Sequence, residues 1–310
     1  MNADRTDRKV LVAMSGGVDS AVAAARLVQE GYEVAGVTFR LFCYGEEEAA
    51  ARACCGLEGI RDAQTAAFRL GVPHVVLDLE ELFRLRVLDD FVEEYAAGRT
   101  PNPCVECNTH VKFAPLLDWA RRHGYGRVAT GHYARLRTGA PAGEPVLARG
   151  LDPDKDQSYV LWGVPREVLE RTLFPLGGLS KEQVRVEARR LGLPVWDKEE
   201  SQDICFVPDG DYARVLRERL GPDHPAFAPG EIRDPEGRLL GRHEGLARYT
   251  VGQRRGLGVS GPQSWRVLAL ETATNTLRVG PAEALGRGGL VAGRLNLHVP
   301  AQAIGEGPVE

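Results

Sequence analysis

The chain is 310 residues long, with a formal net charge of −4, 43% hydrophobic and 26% charged residues, ordinary values for a soluble fold with one large core and a satellite. No stretch approaches the ~20 consecutive apolar residues of a membrane span. The polar start MNADRTDRKV runs straight into a strand-like segment and leaves no room for the apolar core of a signal peptide. A cytoplasmic protein with no membrane partner is expected. The slightly acidic balance speaks against a protein that coats nucleic acid through a dominant basic face, but allows one that holds an RNA substrate transiently. Basic pairs at Arg121, Arg122 and His123, at Arg189 and Arg190, and at Arg254 and Arg255 read as solvated faces.

In chain order, Val10 to Met14 is a short apolar run, followed by the turn SGGVDS and an Ala-rich segment over 21–29: strand, loop, helix. The alternation continues with a strand over 33–39, a helix over 60–70 and a strand over 72–79. Then come Leu82, Leu85, Leu88, Phe91 and Tyr95 at helical spacing, a helix over 111–122 and the strand-like RVATGH. Such alternation predicts an α/β fold, a doubly wound parallel sheet covered on both faces. The Gly- and Pro-rich stretch from Thr138 to Pro145 reads as a loop between two strands. Helical patterns dominate over 165–191 and again from Asp211 to about Leu220. After Pro229 short strand-like runs take over, GEIRDPEGRLLG and VLALETATNTLRVG, the second a hairpin turning near Thr274 and Asn275. The expected organisation is a first domain over 1–165 and a smaller mixed α+β domain over 166–284.

SGGVDS, Ser15 to Ser20, lies between a buried strand and a helix, where backbone N–H groups and the positive helix end can cradle a phosphate. Two glycines let the main chain come close. The loop is neither a Walker A loop, since no lysine follows the turn, nor a dinucleotide fingerprint. It resembles the PP-loop signature of ATP pyrophosphatases, which cleave ATP between the α- and β-phosphates. That resemblance implies an adenine-nucleotide-hydrolase-like fold in which Ser15 and Ser20 hydrogen-bond the pyrophosphate and Asp19 helps hold Mg²⁺ through water. Ala13, Met14, Ser15, Gly16, Gly17, Val18, Asp19 and Ser20 are the ATP-binding candidates. Phe39 and Gly131, at later strand ends, fall where ligands bind in open parallel sheets. They read equally well as a core aromatic and a turn glycine.

Cys104 and Cys107 stand three apart in TPNPCVECN, a Pro-broken loop before a helix, and Cys205 follows much later in SQDICFV. A free thiol, with a pKa of ~8.5, is mostly protonated at neutral pH, so sulfur chemistry needs a helix N-terminus or a cation. A helix beginning near Cys107 is expected to supply the first, and Arg99 or Lys112 the second. Cys43 and the adjacent Cys54 and Cys55 read as core or loop packing.

The phosphate loop, RTPNPCVECN, KFAPLL, TGHYAR, GLDPDKDQSYVLW, SQDICFV and YTVGQRRGLG together resemble the tRNA-specific 2-thiouridylase family, in the same order and over most of the chain. The resemblance implies that ATP adenylates the C2 oxygen of a wobble uridine in tRNA and that a protein persulfide then replaces that oxygen with sulfur. Cys107 would be the nucleophile. Cys205 would carry the persulfide and form a transient disulfide with it. Asn102, Pro103 and Cys104 would meet the target base, and His132, Lys155, Asp156 and Gln157 the tRNA. ATP and Mg²⁺ are the implied cofactors, and a persulfide donor or relay protein the implied sulfur source.

This chain departs from the family pattern twice. Many members carry Asp where Cys104 stands, so Cys104, Cys107 and Cys205 could instead bind three irons of a [4Fe–4S] cluster. The family also continues through a C-terminal β-barrel, of which 285–310 would be a truncated beginning. Two other classes compete. One is a PP-loop amidating ligase on a small molecule, which has no use for the loop thiols. The other is a metal- or RNA-binding module with structural cysteines, for which no fourth zinc ligand is evident.

Overall fold

The computed structural model describes residues 6–42, 57–138, 145–198, 204–207, 209–259 and 264–298. Cys43, Cys54, Cys55 and the middle of the loop between Thr138 and Pro145 lie outside them. The chain divides into two compact units, one made of Met1–Arg86, Cys104–Pro208 and Leu295–Glu310, the other of Val87–Pro103 and Asp209–Arg294.

The first unit is built on a five-stranded sheet. In chain order its elements are β1 (Lys9–Ala13), α1 (Val18–Gln29), β2 (Glu33–Arg40), α2 (Leu57–Leu70), β3 (His74–Asp78) and α3 (Glu80–Phe83). A π-helical turn over Arg84–Leu88 follows and leads into α4 (Asp89–Ala96). Back in the first unit come α5 (Pro103–Glu106), a π-helical turn over Cys107–Lys112, α6 (Phe113–Arg122) and β4 (Arg127–Ala129). The antiparallel hairpin of β5 (Ala134–Thr138) and β6 (Pro145–Arg149) precedes α7 (Arg166–Leu169), β7 (Thr172–Leu173) and α8 (Lys181–Arg190).

The sheet runs β3-β2-β1-β4-β7, and every pair in it is parallel. β1 is central: Val10, Leu11 and Val12 are fully buried, as a strand covered on both faces requires. α1 buries Ala21, Val22, Ala23, Ala24, Ala25 and Leu27, small side chains that let it lie close to the sheet. From β1 the chain steps outward through β2 to β3, then returns to place β4 on the other side of β1. The strand order therefore reverses between β1 and β4. In open parallel sheets ligands bind in the crevice at such a reversal, beyond the carboxyl ends of the strands. The phosphate loop leaves β1 at that point and the Thr130–His132 segment leaves β4.

β7 was not anticipated from sequence: it pairs only through Val128 with Thr172 and Ala129 with Leu173, too short a run to show any periodicity. The helix expected over 111–122 starts earlier and passes through the π turn, and the one over 165–191 is split by β7.

The second unit contains α4, α9 (Tyr212–Leu220), β8 (Gly230–Arg233), β9 (Leu239–His243), β10 (Arg266–Glu271) and β11 (Thr276–Gly280). Tyr95 of α4 stacks on Tyr212 of α9 with ring centroids 4.9 Å apart. The four-stranded sheet is ordered β10-β11-β8-β9. Its core is Ile232, Leu246, Tyr249, Leu257, Val267, Leu277 and Val279. β10 and β11 form the expected hairpin, with Asn275 at a left-handed φ of 48° closing the turn. No strand forms among the described residues of the expected barrel segment, which end at His298. No helix among the described residues is long and apolar enough to cross a membrane.

One contact joins the two strand ends. A Cβ on Gly131 would stand 2.8 Å from the Ser20 nitrogen and 2.9 Å from the Asp19 carbonyl carbon, so only glycine lets the end of β4 reach the first turn of α1. Gly131→Ala is expected to cost about 1–3 kcal/mol of stability and to weaken nucleotide binding. Urea unfolding and an equilibrium ATP titration check both; unchanged values would mean that strand and helix can part freely.

Candidate active site

Gly16 adopts φ +77°, and a Cβ there would lie 2.2 Å from the Gly59 oxygen of α2, so the loop needs glycine on both conformational and steric grounds. Gly17, in extended conformation, is the N-cap of α1. Ser20 Oγ donates to the Gly17 carbonyl at 3.1 Å and accepts from the Ser15 nitrogen at 3.1 Å, with Ser15 Oγ 3.4 Å away. These bonds hold the loop in a cup above the first turn of α1, whose N–H groups lack intrahelical partners. Phe39 is buried in β2, next to β1.

Asp19 does not stand alone. Its carboxylate takes Lys181 Nζ at 2.7 Å on each oxygen and the Tyr133 hydroxyl at 2.8 Å. Neither Lys181 nor Tyr133 was a sequence candidate. Tyr133 could have been found as the neighbour of the TGH motif. Lys181 opens α8, 162 residues from Asp19, and nothing in the sequence marks that pairing.

The helix bearing the first two thiols begins at Pro103, not near Cys107. Asn102 and Pro103 carry a readable signal for it, a capping residue type followed by proline at the first helical position. Cys104 therefore lies in the first turn and is exposed, while Cys107 is buried at the start of the π turn. Asn102 is exposed and Pro103 buried. π turns inside helices occur often at functional sites. This one holds two buried polar atoms without a hydrogen-bond partner, Asn108 Oδ1 and Thr109 Oγ1, although Asn108 Nδ2 reaches the Val160 carbonyl at 3.2 Å. Arg99, expected as a cation for the thiols, is instead bound by Glu94 through two hydrogen bonds of 2.6 Å.

His132 joins the two halves of the site. Its Nδ1 lies 2.8 Å from Thr130 Oγ1, its ring packs 5.8 Å from Phe113 at the end of the π turn, and Phe174 meets it edge-on at 6.5 Å. Loss of hydration, followed by the Lys112 charge, lowers its pKa to about 3. Gln157 is tied to the same strand end: its Oε1 accepts from the Tyr133 nitrogen at 3.0 Å and its own nitrogen donates to the Tyr133 carbonyl at 2.9 Å. Asp156 shapes the turn, accepting from the Gly150 nitrogen and from the Ser158 nitrogen and hydroxyl. Burial raises its pKa, but these bonds outweigh burial and leave it below the usual carboxylate value. Lys155 is half-buried beside it.

Cys205 is half-buried. The adjacent Phe206 packs on Phe83 of α3 at 5.7 Å, and α3 also packs against the π turn that starts at Cys107. Both thiols thus belong to segments that lean on α3. Among the described residues no group of three or more His, Cys, Asp or Glu side chains is arranged to hold a metal ion.

The His132 environment has a pH consequence. Unfolded, an imidazole takes its proton near the ordinary 6.5; folded, His132 takes it only near 3. The unfolded chain binds more protons between these values, so stability falls as pH drops from about 6.5 toward 3. His132→Asn is expected to flatten that part of the acid slope, as measured by urea midpoints above and well below pH 6.5. An unchanged slope would mean that His132 titrates normally in the fold.

Residues 8–209 match the family model described as tRNA methyl transferase HUP domain, and residues 222–281 the one described as tRNA methyl transferase PRC-barrel domain. The chain is similar to the tRNA-specific 2-thiouridylase MnmA of Heliobacterium modesticaldum, 48% identical over 287 residues, 93% of this chain and 74% of that protein. It is similar to that of Geotalea uraniireducens as well, 48% identical over 297 residues, 94% of this chain and 78% of that protein. A solved 4-thiouridine synthetase–RNA complex with bound ATP is similar over 70% of this chain and 51% of that one, at 20% identity and a TM-score of 0.43. The phosphate loop, Cys104, Cys107 and Cys205 all fall inside the 8–209 match, and with near-half identity over nine-tenths of its length the chain belongs to the tRNA-specific 2-thiouridylase family.

Proposed function

We propose that the chain uses ATP and Mg²⁺ to replace the C2 oxygen of the wobble uridine of a tRNA with sulfur. The observation that carries this reading is the convergence on the end of β4: the phosphate loop packs against Gly131, and the helical stretch bearing Cys107 packs, through Phe113, against the adjacent His132. A site for cleaving ATP and a stretch that carries thiols thus share one strand end.

The chemistry needs both. The uridine C2 carbonyl is a poor electrophile and its oxygen a poor leaving group until that oxygen carries AMP. Ser15 and Ser20 bind the pyrophosphate portion of ATP, and the end of α1 offsets its charge. Asp19 would help hold Mg²⁺, which would offset the phosphate charge. The outer sulfur of a Cys205 persulfide then bonds to C2 and AMP departs with the oxygen. The Cys107 thiolate attacks Sγ of Cys205, the S–S bond of the adduct breaks, and the outer sulfur stays on C2. The resulting Cys107–Cys205 disulfide is reduced by an external dithiol, and a persulfide donor or relay protein of the cytoplasm reloads Cys205.

The wobble base lies in a single-stranded loop and can be turned out into a pocket at modest cost. Asn102, Pro103 and Cys104 meet that base. Lys155 and the neutral His132 contact the tRNA, while Asp156 and Gln157 hold the turn that presents them. Methyl transfer, the wording of the family models, uses neither ATP cleavage nor a pair of thiols. An amidating ligase likewise leaves the thiols idle. For a [4Fe–4S] cluster the exposed Cys104 and buried Cys107 are a poor donor set.

Unmodified tRNA incubated anaerobically with the protein, ATP, Mg²⁺ and a persulfide donor is expected to yield 2-thiouridine, read by nucleoside mass spectrometry. Cys107→Ser and Cys205→Ser should each abolish it while leaving ATP binding intact. Wild-type-like product from either variant would overturn the thiol roles, and an inactive wild type would overturn the reaction itself.

A further inference from the structure

Cys104 and Cys107 stand three residues apart in one continuous helical stretch, the first in α5 and the second opening the π turn. Their surroundings are opposite: Cys104 is exposed, whereas Cys107 is only 4% exposed. Residues three apart on a helix are neighbours, with roughly 5–6 Å between Cβ atoms. A relaxed disulfide takes about 4 Å, so a small local adjustment joins this pair and leaves a strained, easily reduced bond. Contact with the target base, the role given to Cys104 above, does not by itself call for sulfur. The burial of Cys107 does. A dissolved dithiol has little access to a disulfide that ends on that sulfur, and Cys205 cannot be reloaded until the bond is broken.

We propose that Cys104 is a further catalytic residue, the resolving thiol that regenerates the enzyme after each sulfur transfer, an inference that rests on the reaction proposed above. The Cys104 thiolate attacks Sγ of Cys107 in the spent Cys107–Cys205 disulfide. The Cys104–Cys107 bond forms, the Cys107–Cys205 bond breaks, and the electron pair leaves on Sγ of Cys205, which becomes the thiolate that the persulfide donor reloads. This exchange neither gains nor loses electrons. The external dithiol then reaches the protein through the exposed sulfur: one of its thiolates attacks Sγ of Cys104 and the Cys107 thiolate departs. Its second thiolate displaces Cys104, so the dithiol ends as a disulfide and two electrons have passed from it to the protein. Exchange asks only for two neighbouring sulfurs, whereas a cluster needs three to converge at once.

The first test needs no variant. Wild-type protein is loaded with persulfide, cleared of excess donor and given ATP, Mg²⁺ and unmodified tRNA anaerobically without reductant. After one turnover it is quenched in acid, which stops thiol exchange, and its disulfides are mapped by peptide mass spectrometry. A Cys104–Cys107 linkage with Cys205 reduced is expected, in step with the 2-thiouridine formed. Thiolated product beside a persisting Cys107–Cys205 linkage and a reduced Cys104 would overturn the proposal. The second test uses Cys104→Ser with limiting dithiol and compares later turnovers with the variant's own first one, so that any effect on base binding cancels. The ratio of steady-state to first-turnover rate should drop ~10-fold or more below the wild-type ratio, because a tethered thiol outruns a dissolved one. Excess dithiol should recover part of that loss. A variant that keeps the wild-type ratio at limiting dithiol would also overturn the proposal. A loaded wild type that makes no 2-thiouridine refutes the reaction of the preceding subsection, whereas product without the Cys104–Cys107 linkage refutes only this role.

Discussion

The approach of Gly131 to the first turn of α1 is the constraint on which the rest of the site depends. A parallel sheet opens a crevice where its strand order reverses, but an open crevice does not bring two strand ends into register with one ligand. Here the end of β4 comes so close to Ser20 and Asp19 that no side chain fits between them. Everything that follows β4 is thereby placed: His132 beside the thiol-bearing helix, and Tyr133 against the Asp19 carboxylate. The glycines of the loop then serve separate ends. Gly16 permits a left-handed turn under the weight of α2, and Gly17 opens α1 in extended conformation.

The electrostatics follow from the same packing. The starts of α1 and α8 both come to the phosphate loop, the latter carrying a buried ammonium, so the site is built for negative charge. One carboxylate, Asp19, balances it. The thiol side is electrically quieter. His132 is kept neutral by loss of water and by Lys112, which leaves it a hydrogen-bonding, flat-ringed neighbour rather than a second cation. A substrate that is anionic at one end and a neutral heterocycle at the other suits that division.

Much of this was legible in residues that act locally. The uniform apolar run of β1, the SGGVDS loop after it and the Asn275 hairpin each announce themselves within a few positions, because turns and central strands are decided by short-range sterics and burial. β7 was not legible, since Thr172 and Leu173 acquire strand character only from their partners on β4. The thiol-bearing helix starts at Pro103 rather than near Cys107, because a proline can open a helix as well as break a loop and only the fold decides between the two. Arg99 looked available for the thiols, but a bidentate carboxylate five residues earlier claims it. Lys181 was hidden for a different reason: in sequence it is one more charge after a capping serine, and its meaning comes entirely from Asp19, far away along the chain and adjacent in space.

The central claim, that ATP activates the C2 oxygen so that sulfur can take its place, is tested most directly by the fate of that oxygen. Transfer RNA carrying a heavy-oxygen label at C2 of the target uridine should release labelled AMP in proportion to the 2-thiouridine formed. Unlabelled AMP accompanying thiolated product would contradict the account, because sulfur would then have entered without adenylation of the oxygen it replaces.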